Sequence, residues 1–220
     1  MNPFFSFIDN DFLMLTSKKT NLSFDDLLAR IFKEFNLNNF DLVRLQQTHS
    51  NNIICTNVPG LYNDSDGIII HEANNLIPVI ATADCVPLFI YDSTKNIYGL
   101  IHCGWRGIFL KIHLKALDLF IKKGSNIKDI KIYLGPSIQS CCYEIGEDIV
   151  NNFRKNSISN FNKKIYLNLF KEISSDFFHS GFDKKNIKYS DVCSYENNEC
   201  YSYRRDGALQ GRMFSMIIKK

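Results

Sequence analysis

The sequence predicts a single α/β domain. Two features carry that expectation: short runs rich in β-branched and aromatic residues recur along the chain, and segments with apolar residues at helical spacing interrupt them irregularly. A third is the lack of any repeat, low-complexity tract or linker-like stretch, so residues 1–220 are expected to share one core.

In chain order, Ser23 caps an apolar-periodic segment that runs through Phe35, with Asp25 and Asp26 in its first turn. Residues 40–45 and 53–56 read as short strands around a polar stretch, 46–52, which sets His49 at an edge where it is free to face a cleft. Residues 63–67 form a turn into a strand over 68–71. Residues 79–82, 86–91 and 97–102 are strand-like, and the last two read as a hairpin. A two-residue loop at Ser93-Thr94 sets Cys85 opposite His102 on one sheet face; a five-residue loop sets Cys85 opposite Cys103 and turns His102 to the other face. Either register gathers Asp84, a thiol and an imidazole at the hairpin's open end.

After Gly104-Trp105-Arg106-Gly107, residues 108–123 read as a helix with a lysine-rich last turn, whose first amides would join Arg106 in an anion-binding corner. Residues 130–134 read as a strand running into Gly135-Pro136, and the second half of 137–153 as a helix. Residues 166–180 read as a helix stopped by Gly181, and 213–218 as the closing strand.

Composition narrows the function classes. A net charge of +3 from 26 basic and 23 acidic residues, with no dense basic block, gives no reason to invoke nucleic acid. The N-terminus lacks a basic start and is cut by Asp9 and Asp11, unlike a signal peptide, and the apolar stretch 76–91 is broken by Asp84 and too short to span a bilayer. A soluble, cytoplasmic protein without a membrane partner is expected. Seven cysteines without a C-x-x-C pair argue against a disulfide framework or zinc ribbon, and the adjacent Cys141 and Cys142 read as reduced thiols.

His49, Cys85 and His102 form a set of borderline-soft ligands suited to zinc with three protein ligands and an open fourth position. Each is equally a strand-end residue that packing or hydrogen bonding can satisfy. Cys85 has a second functional reading, as a nucleophile activated by His102 with Asp84 or a carbonyl orienting the imidazole. Arg106, Arg204 and Arg205 suit bidentate capture of phosphate or carboxylate, and Tyr201 and Tyr203 beside R-R-D-G suit a planar ligand; surface ion pairing is the plainer role. Glu144 and Asp206 are candidate general acids or bases, with cap and turn roles as the alternative. His71, His113 and His179 fall within strand or helix patterns and read as structural.

The motifs T-A-D-C-V-P-L-F, H-C-G-W-R-G, L-G-P-S-I-Q-S-C-C-Y-E-I-G and S-Y-R-R-D-G…G-R-M, with Q-T-H at 47–49 and S-D-G at 65–67, resemble the laccase-domain family. It is also called the polyphenol oxidase or multicopper-oxidase-like family of purine nucleoside phosphorylases. The resemblance runs from about residue 45 to the C-terminus. It implies two mixed sheets packed between helices in α/β/β/α layers, and a metal, usually zinc with copper as the alternative, held by His49, Cys85 and His102. It also implies phosphorolysis of adenosine, inosine, guanosine and methylthioadenosine and deamination of adenosine; a copper-oxidase label and a role in peptidoglycan-precursor quality control attach to the same family. The expected catalytic set is then Cys85, His102, Glu144 and Arg106, and the substrate-binding set Arg106, Arg204, Arg205 and Asp206. The expected partners are purine nucleosides and phosphate, with the chain a monomer or homodimer.

Three positions depart from the family pattern: Ser50 follows Q-x-H where Gly is usual, Cys103 replaces Ala and offers a competing thiol, and R-R-D-G-A-L-Q-G-R runs one residue long. The alternatives to a zinc nucleoside enzyme are a cysteine hydrolase or amidase using Cys85 and His102, copper-dependent phenol oxidation, and a metal-binding protein without turnover. Copper oxidation is disfavoured by the single three-ligand set.

Overall fold

The computed structural model describes residues 4–9, 11–37, 40–73, 75–208 and 211–220. Strands β1 (Phe4–Asp9) and β2 (Phe12–Ser17) and helix α1 (Phe24–Glu34) open the chain. Then come β3 (Asp41–Leu45), β4 (Ile53–Cys55), β5 (Gly60–Tyr62), β6 (Gly67–His71), β7 (Leu76–Thr82), β8 (Val86–Asp92) and β9 (Ile97–Cys103). Helices α2 (Trp105–Phe109) and α3 (Ile112–Lys122) precede β10 (Lys131–Leu134), β11 (Glu144–Ile145), α4 (Glu147–Val150), β12 (Ile158–Phe161) and β13 (Lys164–Leu167). The chain ends with α5 (Leu169–His179), β14 (Ile187–Tyr189), α6 (Tyr203–Asp206) and β15 (Met213–Lys219).

Alternation along the strands sorts these elements into four layers. One six-stranded sheet has the order β1-β2-β15-β7-β3-β5 and the other β14-β10-β8-β9-β6-β4, each mixing parallel and antiparallel pairs. On β2, Leu13 and Leu15 face α1 and pack on Leu27 and Ile31, while Phe12 and Met14 face the second sheet. On β8, Phe89 and Tyr91 meet that inter-sheet core, while Leu88 and Ile90 pack toward Ala116 and Phe120 of α3. Each fully buried side chain contributes roughly 1.5–3 kcal/mol, so three stacked cores hold the α/β/β/α arrangement together.

The structure corrects several expected boundaries. The hairpin of β8 and β9 pairs Asp92 with Ile97 and Pro87 with His102, a four-residue loop that neither expected register contains. Asp92 sets it, since its Oδ1 accepts from the backbone N–H of Thr94 at 2.8 Å and from the Thr94 hydroxyl at 2.7 Å. His102 therefore faces Pro87, and Cys85, two residues before Pro87, lies diagonal to His102 on the same face. The expected helix over 108–123 is two helices, broken where Lys111 takes a left-handed conformation (φ 59°). That conformation costs roughly 1–2 kcal/mol, and it is offset where Lys111 Nζ meets Asp176 at 2.9 Å. The helix expected from 166 begins at Leu169, capped by Asn168, because Tyr166 and Leu167 belong to β13. The helix expected after Tyr143 is the single turn α4. The N-terminal hairpin and a third sheet, β11-β13-β12, were not anticipated. No helix among the described residues is long and apolar enough to cross a membrane.

Candidate functional site

The chain crosses from the first sheet to the second three times at the same end, in the 46–52 loop between β3 and β4, in the 63–66 turn between β5 and β6 and in the short link between β7 and β8. Gln47 ties the first crossing to the end of β7: its Nε2 donates to the Ala81 carbonyl at 2.9 Å and its Oε1 accepts from the Ala81 N–H at 2.7 Å. His49 stands on the first crossing, Asp66 on the second and Cys85 on the third, all beside His102 at the end of β9.

Asp66, at the entrance to β6 and fully buried, organises the first crossing. Its carboxylate accepts from the backbone N–H groups of Thr48, His49 and Ser50 and from the Ser50 hydroxyl, at 2.7 to 3.2 Å. The same carboxylate meets His102 Nδ1 at 2.8 Å. That bond fixes the ring and leaves Nε2 toward Cys85, the arrangement in which a carboxylate raises the basicity of a ligating histidine. Burial alone would raise the Asp66 pKa, but His102 and Ser50 hold it well below the usual carboxylate range. Ser50, in place of the usual glycine, is thus an Asp66 donor. The expectation that Asp84 orients His102 is corrected: Asp84, at φ 84°, accepts from Ser194 Oγ at 2.6 Å and from the Arg204 N–H at 2.7 Å.

Cys85 Sγ lies 4.0 Å from His49 Nε2, the His49 and His102 rings stand edge to face at 4.8 Å, and the three donor atoms all fall within 4.8 Å of one another. These residues can hold a metal ion. The donor set fits zinc, since bonds of about 2.3 Å to sulfur and about 2.0 Å to nitrogen sum to about 4.3 Å, more than the Cys85–His49 separation. His102 is buried and His49 exposed, so the group opens to solvent on one side. Without a metal, burial opposes ionisation of Cys85, but His102 and His49 bring its thiol down to about 6. Burial likewise opposes the charged imidazole of His102, yet Cys85 and Asp66 bring it up to about 9. Each group thus favours the charged form of the other, thiolate and imidazolium.

Gly104 leaves room for this cluster: a Cβ there would sit 3.0 Å from His49 Cδ2 and 3.1 Å from Cys85 Sγ. The competing-thiol expectation for Cys103 is corrected, because the next residue of a strand points to the opposite face and Cys103 is sealed in the core under α3. Burial also pushes its thiol up.

The arginines divide. Arg106, on the first turn of α2, is exposed and stacks over Trp105 at 4.6 Å. Arg204 lies over the Tyr143 ring at 5.3 Å and donates to the Glu144 carbonyl at 2.6 Å. Burial raises the Tyr143 phenol and the Cys85 charge raises it further, while Arg204 and Arg106 pull it down. Arg205, expected to bind substrate, is held within the fold: it forks onto Asp206 through Nε and Nη2, both at 2.7 Å, and also donates to the carbonyls of Tyr195 and Cys200. Asp206 is spent on that pair, and the Glu144 carboxylate meets Lys164 at 2.8 Å. In the C-terminal stretch that runs one residue long, Leu209 and Gln210 lie outside the described residues. The sequence reasoning missed Asp66 and Tyr143 as site residues, although S-D-G and C-C-Y-E contain them. It also found only one ligand set, whereas the described residues hold a second group: Cys141, Cys142, Cys193 and Glu196.

Residues 22–220 match the model of a family described as multi-copper polyphenol oxidoreductase laccase. The chain belongs to that laccase family. It is 34% identical over 234 residues to a purine nucleoside phosphorylase of Clostridium acetobutylicum, across 99% of this chain and 96% of that one. It is 29% identical over 198 residues to adenosine deaminase RL5 from an unknown prokaryotic organism, across 82% and 76%. Among solved structures, the Bacillus licheniformis hypothetical protein YfiH matches with a TM-score of 0.86 at 24% identity over all of both chains. YlmD from Geobacillus stearothermophilus matches at 0.86 and 21% over 96% and 92%. These two likenesses show that the chain shares their fold.

Proposed function

We propose that this chain is a zinc-dependent purine nucleoside enzyme that cleaves adenosine, inosine, guanosine and methylthioadenosine with phosphate and deaminates adenosine. The observation that carries the proposal is the His49, Cys85 and His102 cluster, with His102 locked by Asp66, in a chain that resembles a purine nucleoside phosphorylase over nearly its whole length. Similarity to adenosine deaminase RL5 motivates the second activity.

His49, Cys85 and His102 would hold the ion, which when bound supplies Lewis-acid polarisation at its open position. Copper suits the same donors. Arg106, over Trp105, and Arg204, over Tyr143, would bind phosphate or the sugar's developing charge, and the two rings would offer flat faces to a purine. Asp66 keeps the proton on His102 Nδ1, and Glu144, next to Tyr143 in sequence, would have to release its exposed pair with Lys164 to accept a proton. A panel of these four nucleosides, with and without phosphate, tests the proposal. Phosphate-dependent release of free base and phosphate-independent formation of inosine from adenosine are expected; no turnover of any nucleoside by zinc-loaded protein would refute it.

One observation favours a second reading. The thiolate of Cys85 beside the His102 imidazolium is also the resting state of a cysteine nucleophile. Alkylation separates the two, because a zinc-bound Cys85 resists iodoacetamide until a chelator is added, whereas a nucleophile reacts regardless of zinc. Peptide mapping is needed because Cys55 and Cys141 are also exposed.

A further inference from the structure

The second donor group is linked to the first through Asp84, which precedes Cys85 and accepts from the hydroxyl of Ser194, the residue after Cys193. Cys141 and Cys142 sit on a tight turn in which the N–H groups of Cys142 and Tyr143 both donate to the Gln139 carbonyl, at 3.0 and 2.9 Å. Cys193 lies on the neighbouring segment, which is bridged in parallel to Ser137 and held by the Ser194 N–H donating to the Ser137 carbonyl at 3.0 Å. The next turn, closed where the Asn197 N–H donates to the Cys193 carbonyl at 3.0 Å, brings Glu196 round beside Cys193. All four ligand atoms fall within 4.8 Å of one another.

We propose that Cys141, Cys142, Cys193 and Glu196 form a second metal site, one that takes a thiophilic divalent cation of the zinc class.

Three observations support it. Around a tetrahedral ion with bonds of about 2.3 Å, sulfurs stand roughly 3.8 Å apart, and Cys141 Sγ lies 3.7 Å from Cys193 Sγ. Cys142 Sγ, 3.0 Å from Cys141 Sγ, needs only a modest rotation to open that edge, and it sits at the partly exposed rim where rotation is free. The Gln139 N–H points at Cys193 Sγ at 3.4 Å, the backbone donation that supports a metal-bound sulfur. Three thiolates and a carboxylate around a divalent ion leave a net charge of −2, the same as a four-cysteine zinc site.

Three sulfurs and an oxygen select zinc over magnesium or calcium, which need oxygen donors. All four coordination positions come from protein, so the site is closed and structural. It clips the 193–197 turn to the 139–143 turn. Ser194 on the first holds Asp84, and Tyr143 ends the second, so the clip braces the residues next to Cys85.

The test is zinc stoichiometry of the full chain, stripped with chelator, kept reduced, and dialysed against limiting zinc chloride. Wild type is expected to bind two ions, Cys85→Ala one, and Cys141→Ser/Cys193→Ser one. Cobalt substitution identifies which is which: strong thiolate-to-metal absorption should persist in Cys85→Ala and collapse in the double variant. Glu196→Gln, at an exposed position that the fold does not need, should weaken the second ion by tenfold or more and leave the first unchanged. One ion in wild type that Cys85→Ala abolishes would overturn the proposal. So would an equal rate of alkylation at Cys141 with and without zinc, or a Cys141–Cys193 disulfide that persists in the reduced, zinc-loaded protein.

Discussion

Replacing Asp66 with Asn changes one atom and removes the charge on which the first crossing is assembled. Oδ1 serves the His49 N–H at 3.0 Å and His102 Nδ1 at 2.8 Å; Oδ2 serves the Ser50 N–H at 2.7 Å, the Ser50 hydroxyl at 2.8 Å and the Thr48 N–H at 3.2 Å. An amide keeps one oxygen, so whichever way it turns, its NH2 confronts at least one backbone N–H in a fully buried place. An orphaned buried donor costs about 1–3 kcal/mol of stability. If the oxygen stays on His102, a neutral acceptor replaces a carboxylate behind a metal ligand, a change that typically lowers metal affinity 10–100-fold, or about 1.4–2.8 kcal/mol. Zinc affinity by chelator competition and urea denaturation of the stripped protein measure the two losses separately. An Asp66→Asn variant that unfolds earlier yet binds zinc within twofold of wild type would show that Asp66 only builds the loop, and the argument for its role behind His102 would fail.

Gly104→Ala presses a methyl against His49 and Cys85 and should weaken the zinc of the first site by about tenfold, roughly 1.4 kcal/mol, with little change in urea midpoint; unaltered affinity would mean the cluster yields freely. Arg106→Lys keeps the charge but loses the planar fork, so phosphorolysis should fall by about 1.5–3 kcal/mol in kcat/KM while deamination changes far less. Equal losses would assign Arg106 to the fold around the ligands. Arg154 neutralises the buried Glu172 and Asp176 of α5, donating to Glu172 at 2.7 Å, and being a third exposed itself it should cost about 2–3 kcal/mol on change to Ala, below the figure for a fully enclosed pair. Burial raises the Asp176 pKa, but His113, Arg154 and Lys111 hold it below the ordinary 3.8, so this stabilisation is complete above 3.8 and fades as pH falls through the folded value. The urea gap between Arg154→Ala and wild type should therefore narrow below pH 3.8, and a gap that widens there would contradict the ion-pair account.

Residues whose environment is local were legible in the sequence. Ser23 accepts from the Asp26 N–H as the cap pattern indicates, and Gly181 takes its left-handed place after α5 at φ 91°. The strands of the central hairpin were visible because β-branched and aromatic runs are intrinsic to them. Its register was not, since Asp92 closes the loop through its own side chain, and the register lies two steps from one expectation and one from the other. An even slip preserves the face, so Cys85 and His102 still meet. The break at Lys111 was hidden because the apolar period continues across it, and the carboxylates its side chain meets, Glu172 and Asp176 on α5, are distant in sequence. Arg205 looked like a ligand residue for the same reason: its partners, carbonyls between 194 and 200, become partners only once the chain has folded back.

The central claim is that His49, Cys85 and His102 bind the metal on which nucleoside turnover depends. Its most direct test is phosphate-dependent release of hypoxanthine from inosine, measured on chelator-stripped protein before and after zinc is restored, with His49→Ala alongside. The account predicts no release without zinc, full recovery on its return, and no recovery in His49→Ala, which lacks one ligand of an otherwise intact fold. Release at the wild-type rate from stripped protein, or from zinc-loaded His49→Ala, would contradict it.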